Sequence, residues 1–259
     1  MRSIGVGSRR HLILSRIFIL ILGLAAVIWG GVVLPVFRRD VPVNQVATEL
    51  LKGQTFKLNT LVAEAQRASP VTSVVCNPTE LHSAVALRRA VLNDVVASDL
   101  LSAANIAAAA LDNSARSAAA CSPSDSFVWL TMFWLDTARH GLTPQNERYL
   151  RLSYKLGPNE GWVAYWRVQL TLAELAHLPE DLSSDVLGDF VKLINTRILY
   201  EETAGIFERA PVDAQNRIIE ALKYADARPR EAFAKALSDR GFDVRVPGTK
   251  LPELRPWQR

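Results

Sequence analysis

The longest apolar stretch, Ile17 to Phe37 (IFILILGLAAVIWGGVVLPVF), holds no charged residue. As a helix, its 21 residues would rise about 30 Å, the thickness of a hydrocarbon core. The pattern predicts one transmembrane helix. It is longer than the 7–15 residues of a cleaved signal's apolar region, and its exit, Leu34-Pro35-Val36-Phe37-Arg38-Arg39, has no small-x-small cleavage site. An uncleaved signal anchor is expected, with Trp29 and Phe37 at the far interface.

Beyond the anchor the chain is rich in Ala and Leu and has few alternating runs, which predicts helices. Prolines recur between a preceding residue and an acidic or amide residue shortly after: Asn77-Pro78, Ser122-Pro123, Thr143-Pro144, Gly157-Pro158, Leu178-Pro179, Ala210-Pro211 and Arg228-Pro229. Proline suits a first helical turn, where its missing N–H has no partner, and a nearby carboxylate suits the exposed N–H groups. Each site is read as a helix start. Helices are expected over Asp125–His140, Asn146–Leu156, Glu160–His177, Asp185–Phe207 (interrupted near Thr196 or Thr203), Asp213–Tyr224 and Arg230–Asp239.

The expected organisation is a basic segment (1–16), a signal anchor (17–37), linker helices with a break near Gly53 (38–75), a helical domain (76–243) and an extended Pro-rich tail (244–259). Within the domain, Phe127 to Pro158 resembles a tetratricopeptide repeat: helix, turn at Gly141, helix, closing Pro158. Trp134 stands where that family wants a small residue, and Asn146 where it wants alanine, so the repeat is degenerate. The expected fold is all-α, one N-terminal transmembrane helix followed by an irregular helical-repeat domain whose tetratricopeptide-like character is what the resemblance implies.

The segments CSPSDSFVWLTMFWLDTARHG, RYLRLSYKLGPNEGWVAYWR and ALSDRGFDVRVPG resemble a group of single-span alphaproteobacterial envelope proteins associated with exopolysaccharide or O-antigen gene neighbourhoods. That resemblance implies a setting in the cell envelope and no particular reaction.

The pI near 9.2 suggests a nucleic-acid partner until the charges are located. Residues 1–39 hold 6 of the 30 Lys+Arg and none of the 26 Asp+Glu, so residues 40–259 carry 24 − 26 = −2. The basic excess belongs to topology and lipid headgroups, and no nucleic-acid partner is expected. Arg2, Arg9, Arg10 and Arg16 precede the span, while Arg38 and Arg39 follow it. The bias favours a cytoplasmic N-terminus in a bacterial inner membrane and a periplasmic domain.

Cys76 and Cys121 are the only cysteines, and each directly precedes an expected helix start. As one helix, the intervening residues would hold them roughly 60 Å apart. A hairpin with its turn near Ser98-Asp99 would bring them together as a disulfide, which suits an oxidising compartment; two buried free thiols are the alternative. Without CxxC spacing they form no metal site, and no cofactor is expected.

Aromatic residues concentrate between Phe127 and Trp166, either as core or as a stacking surface for sugar rings. Trp162 and Trp166 share a helical face; with Arg167 beside them and Asn159 and Glu160 at the start of the stripe, they form the candidate binding surface. His11, His82, His140 and His177 lie in separate segments, and the adjacent carboxylates Glu180-Asp181 and Glu201-Glu202 cannot face one another across a cleft. No catalytic residue is assigned and no enzyme is expected. The chain is read as a membrane-anchored, non-catalytic scaffold or assembly factor with an envelope protein partner. The alternatives are a periplasmic glycan-binding module and a cytoplasm-facing adaptor.

Overall fold

The computed structural model describes residues 6–68, 76–196, 200–242 and 244–249. The described residues hold helices and no strand. Helix α1 spans Val6–Leu51 and α2 spans Leu58–Arg67. They are followed by α3 (Pro78–Ala97), α4 (Leu101–Cys121), α5 (Ser126–His140) and α6 (Pro144–Leu156). Next come α7 (Gly161–Thr171), α8 (Glu180–Asn195), α9 (Tyr200–Arg209), α10 (Val212–Ala221) and α11 (Ala227–Asp239). Short 3-10 segments extend α7 and α10.

The part of α1 long and apolar enough to cross a membrane is Leu14–Leu34, three residues earlier than expected, and none of its most apolar stretch is buried in the protein. The helix does not stop at the expected exit. It continues through Pro35 and Pro42, each of which lacks the N–H for an intrahelical hydrogen bond, to Leu51. Packing offsets those lost bonds: Val43 and Ala47 are buried in the domain core, with Val46, Leu50 and Leu51 beside them. The spacing i, i+3, i+4, i+7 lays one apolar stripe of α1 against α3. The Ser83 hydroxyl donates to Asn44 Oδ1 at 2.7 Å, tying the two helices with a polar contact. Residues 38–51 therefore continue the same helix as the apolar span and do not form a separate linker helix. The chain breaks at Gly53, whose φ of 93° suits a residue without Cβ.

Helices α3 and α4 form a hairpin that turns at Asp99, a residue type that tolerates its left-handed φ of 56°. The return brings Cys76 and Cys121 to one end, where they form a disulfide with Cα atoms 5.7 Å apart. Helices α5 and α6 pack closely as the next hairpin. The core then continues through Phe190, Phe207 and Phe233, whose rings meet edge to face at 5.8 and 6.1 Å.

The prolines lie near helix starts, but among these sites only Pro78 and Pro144 occupy the first helical position; Pro229 is third in α11. Asn77 caps α3 by accepting from the Glu80 N–H, and Thr143 and Asn146 cap α6 reciprocally. At α5 a later carboxylate takes over the start, Asp125 accepting from the N–H groups of Phe127 and Val128, while Pro179 and Pro211 directly precede α8 and α10. Helix α8 begins at Glu180, earlier than the expected Asp185, so Glu180 and Asp181 lie in its first turn. Of the C-terminal tail, Val246 is buried in the core; residues 250–259, with Pro252 and Pro256, lie outside the described residues.

A chain beginning at Val41 keeps the whole packed face of α1, whereas one beginning at Phe56 loses it. Guanidinium unfolding of the two should show the shorter one less stable by at least about 2 kcal/mol, the transfer free energy of the Val43 side chain alone. Equal midpoints would show that α1 is dispensable to the core.

Candidate functional site

The stretch Gly157 to Thr171 places the candidate residues. Gly157 ends α6 where a Cβ would lie 2.6 Å from Ser126 Cβ, so only glycine admits the close approach of α5. Ser126 Oγ donates to Glu160 Oε2 at 2.6 Å, which holds the start of α7 against α5. Glu160 is thereby engaged in a structural contact, while Asn159 stands exposed beside it.

Trp162 and Trp166 do share a face. With Gly161 and Tyr165 they line a cleft of about 560 Å³, closed by Leu51, Lys52 and Gly53 at the end of α1, by Leu193 of α8 and Thr196 just past its end, and by Glu202 of α9. Its size falls in the range of small-molecule sites. Trp162 is 39% exposed. Its ring lies 5.2 Å from that of Phe127 and 5.6 Å from that of His82. His82 Nδ1 is 2.6 Å from Asp125 Oδ2, so the residue that caps α5 also orients the imidazole.

Arg167 is not part of this surface. One residue beyond Trp166 is a turn of about 100° around a helix, and that rotation carries Arg167 into the interior, where it is completely buried. Its Nε donates to Asp189 Oδ2 at 2.7 Å, and Nη1 donates to the Ser153 and Gly157 carbonyls at 3.2 and 3.1 Å. The guanidinium carbon sits 4.3 Å from the Tyr154 ring centre. Burial, and next the Asp189 charge, pushes the Tyr154 hydroxyl well above its ordinary pKa. Lys192 closes the far side of Asp189 at 3.4 Å. This network ties α6, α7 and α8 together.

Behind the cleft lies a residue the sequence reading did not single out. Arg89 of α3 is 2% exposed, and its guanidinium carbon lies 3.7 Å from the Trp166 ring centre and 5.8 Å from that of Phe127. Among the described residues no carboxylate pairs with it and its Nε has no acceptor. Desolvation lowers its pKa to about 10. The nearby Trp166 Nε1 is also buried without an acceptor among them. The only sequence signal was position: His82 and Arg89 stand two turns apart on α3.

A second cleft of about 570 Å³ lies between α6 and α8, lined by Arg151, Lys155, Asp185 and Lys192 among others. Arg151 is already paired with Asp181, and Lys192 with Asp189. Among the described residues no group of three or more His, Cys, Asp or Glu is placed to hold a metal ion. Comparison of the chain with protein-family models, curated proteins and solved structures gives no match.

Because Arg167 and Asp189 are both wholly buried, removing one leaves the other uncompensated. Asp189→Ala should destabilise the protein by about 3–5 kcal/mol. Arg167→Met with Asp189→Leu should recover most of that loss in denaturant unfolding. A single substitution with no effect on the midpoint would show that the pair contributes nothing.

Proposed function

We propose that this chain is a membrane-anchored, non-catalytic scaffold or assembly factor of the cell envelope. Its anchor is an uncleaved signal anchor in the bacterial inner membrane, and its domain lies in the periplasm. The observation that carries this reading is the continuity of α1 from its apolar span into the domain core. Such a helix holds a binding surface at a set height. The end of α1 at the cleft is 17 residues past Leu34, about 26 Å of helix rise. The irregular helical stack, with a tetratricopeptide-like hairpin in α5 and α6, supports a protein-binding role, since helical arrays present long surfaces. Surface-polysaccharide synthesis or export as the process rests on the resemblance to alphaproteobacterial envelope proteins.

The Cys76–Cys121 disulfide supports the periplasmic orientation, because such bonds persist in oxidising compartments. A second reading, a glycan-binding module, is favoured by the cleft itself, where two tryptophans and a tyrosine face a rim of Lys52, Thr196 and Glu202.

Thiol labelling in intact cells with a membrane-impermeant probe tests the orientation. Labelling of both cysteines only after reduction is the expected result. Thiols that react only after lysis, without reductant, would place the domain in the cytoplasm and leave an adaptor on the inner face. Purification of the full chain in mild detergent should also retain an envelope protein, and Trp162→Ala with Trp166→Ala should weaken its retention if the cleft is the docking site. Recovery of the chain alone would count against the scaffold.

A further inference from the structure

The cleft beside α7 is bounded on one side by Thr196 and Glu202, and the chain returns toward that side after its last helix. The Asp226 N–H donates to Asn195 Oδ1 at 3.0 Å, which sets the start of α11 against the end of α8, one residue from Thr196. One turn into α11 stands Arg230, whose N–H donates to the Asp226 carbonyl at 3.0 Å. Gly248 rests on its guanidinium, where a Cβ would lie 2.8 Å from Arg230 Nη2. These steps bound the distance from Gly248 to Thr196 at roughly 30 Å. The true separation is shorter, since a side chain leaves a helix across its axis. Val246, two residues before Gly248, is buried in the core, so the chain leaves the domain from a fixed point.

Residues 250–259 follow with the sequence KLPELRPWQR. Extended, the chain from Gly248 to Trp257 covers about 30 Å, enough to carry Trp257 to the cleft. Pro252 and Pro256 favour the polyproline conformation, which docks in aromatic-lined grooves at low ordering cost. The cleft offers such a lining in Trp162, Tyr165 and Trp166. The charges match as well. Lys52 is already neutralised by Glu49 at 2.8 Å, whereas Glu202 is exposed and has no ion-pair partner among the described residues. The segment carries Lys250, Arg255 and Arg259 against the single carboxylate side chain of Glu253, so it brings an excess of positive charge to that edge.

We propose that residues 250–259 of this chain occupy the cleft, with Pro256 and Trp257 packed on Trp162, Tyr165 and Trp166 and with Arg255 beside Glu202. The short tether holds the segment near the cleft at an effective concentration on the order of millimolar, so a contact of sub-millimolar affinity is mostly formed. Leu51, Lys52 and Gly53 line the same cleft, so the docked segment touches the end of α1 and links it to the far end of the described chain. Any external ligand of the cleft, protein or sugar, has to displace the segment first. The contact needs no external partner, so it stands or falls separately from the scaffold and glycan readings.

The test uses the full chain in detergent micelles, with the photo-cross-linking aromatic benzoylphenylalanine in place of Trp257 and mass spectrometry as the readout. Irradiation should link position 257 to the peptide that carries Trp162 and Trp166, or to the one that carries Leu51 to Gly53. Mixing isotopically labelled with unlabelled chains separates links within one copy from links between two, and the links should lie within one copy. Glu202→Arg changes an exposed side chain and should lower the yield at least about twofold, the scale of losing one surface charge pair. Adding Arg255→Glu to that variant should restore the yield, a recovery that a change in folding would not produce. Links between copies would overturn the self-contact and assign the cleft to the same segment of a second chain. Links confined to other surfaces, no links at all, or a yield indifferent to Glu202→Arg would overturn the proposal.

Discussion

Val43 and Ala47 lie one turn apart on a helix that, a few turns earlier, presents only apolar side chains to its surroundings. One backbone thus serves two environments: a lipid-compatible rod over Leu14–Leu34 and a packed element of the core from Val43 to Leu51. The change needs no linker, only a change in which face is apolar. All-round hydrophobicity gives way to a single stripe with polar residues such as Asn44, Thr48 and Glu49 around it. The contact with α3 positions the rest, because α3 also packs on α2 and α4 and presents His82 and Arg89 toward α5 and α7. The cleft exists because the end of α1 meets α7 across this shared support.

The two enclosed arginines show how differently a buried charge is treated within one fold. Arg167 sits where three helices end or cross, and the carbonyls at the end of α6 are available to it because the last carbonyls of a helix have no intrahelical partner. Asp189 supplies the balancing charge, and Lys192 covers the outer oxygen. Arg89 lies in the middle of α3, where the surrounding carbonyls are already used by the helix. Its neighbours are the faces of Trp166 and Phe127, which attract the cation and accept no conventional hydrogen bond. Position within the helix separates a cation that finds a carboxylate and two carbonyls from one whose neighbours are ring faces.

The disulfide and the caps act on the same elements from their ends. The bond from Cys76 to Cys121 closes the α3–α4 hairpin next to Asp125, which caps α5 and holds His82. The end of the hairpin, the start of α5 and the aromatic contacts of Trp162 are thereby joined within one small region. Ser126 and Glu160 add the link from α5 to α7, and Gly157 leaves the space in which that link fits.

The apolar N-terminal helix and the all-helical character were legible along the chain, because each depends on local composition and period, while the hairpin turn at Ser98-Asp99 stood there as one of two alternatives. The pairing of Trp162 with Trp166 on one face was legible for the same reason: residues four apart on a helix are neighbours. The direction of Arg167 was not. Adjacent residues differ by a fixed rotation, but whether that rotation leads to solvent or to α8 depends on where α8 packs. The prolines show a similar limit: they mark the neighbourhood of a start, and the competition between caps such as Pro123 and Asp125 is settled by which N–H groups the fold leaves exposed. The extent of α1 beyond Pro35 also escaped the local rules, since a buried stripe formed with α3 outweighs two missing hydrogen bonds. The sequence by itself determined a helix long and apolar enough to span a membrane, the helical class and the faces of the helices. Only the tertiary structure decided which faces meet, and hence that Arg167 finds a carboxylate while Arg89 finds only rings, because burial and pairing are properties of neighbours distant in the chain.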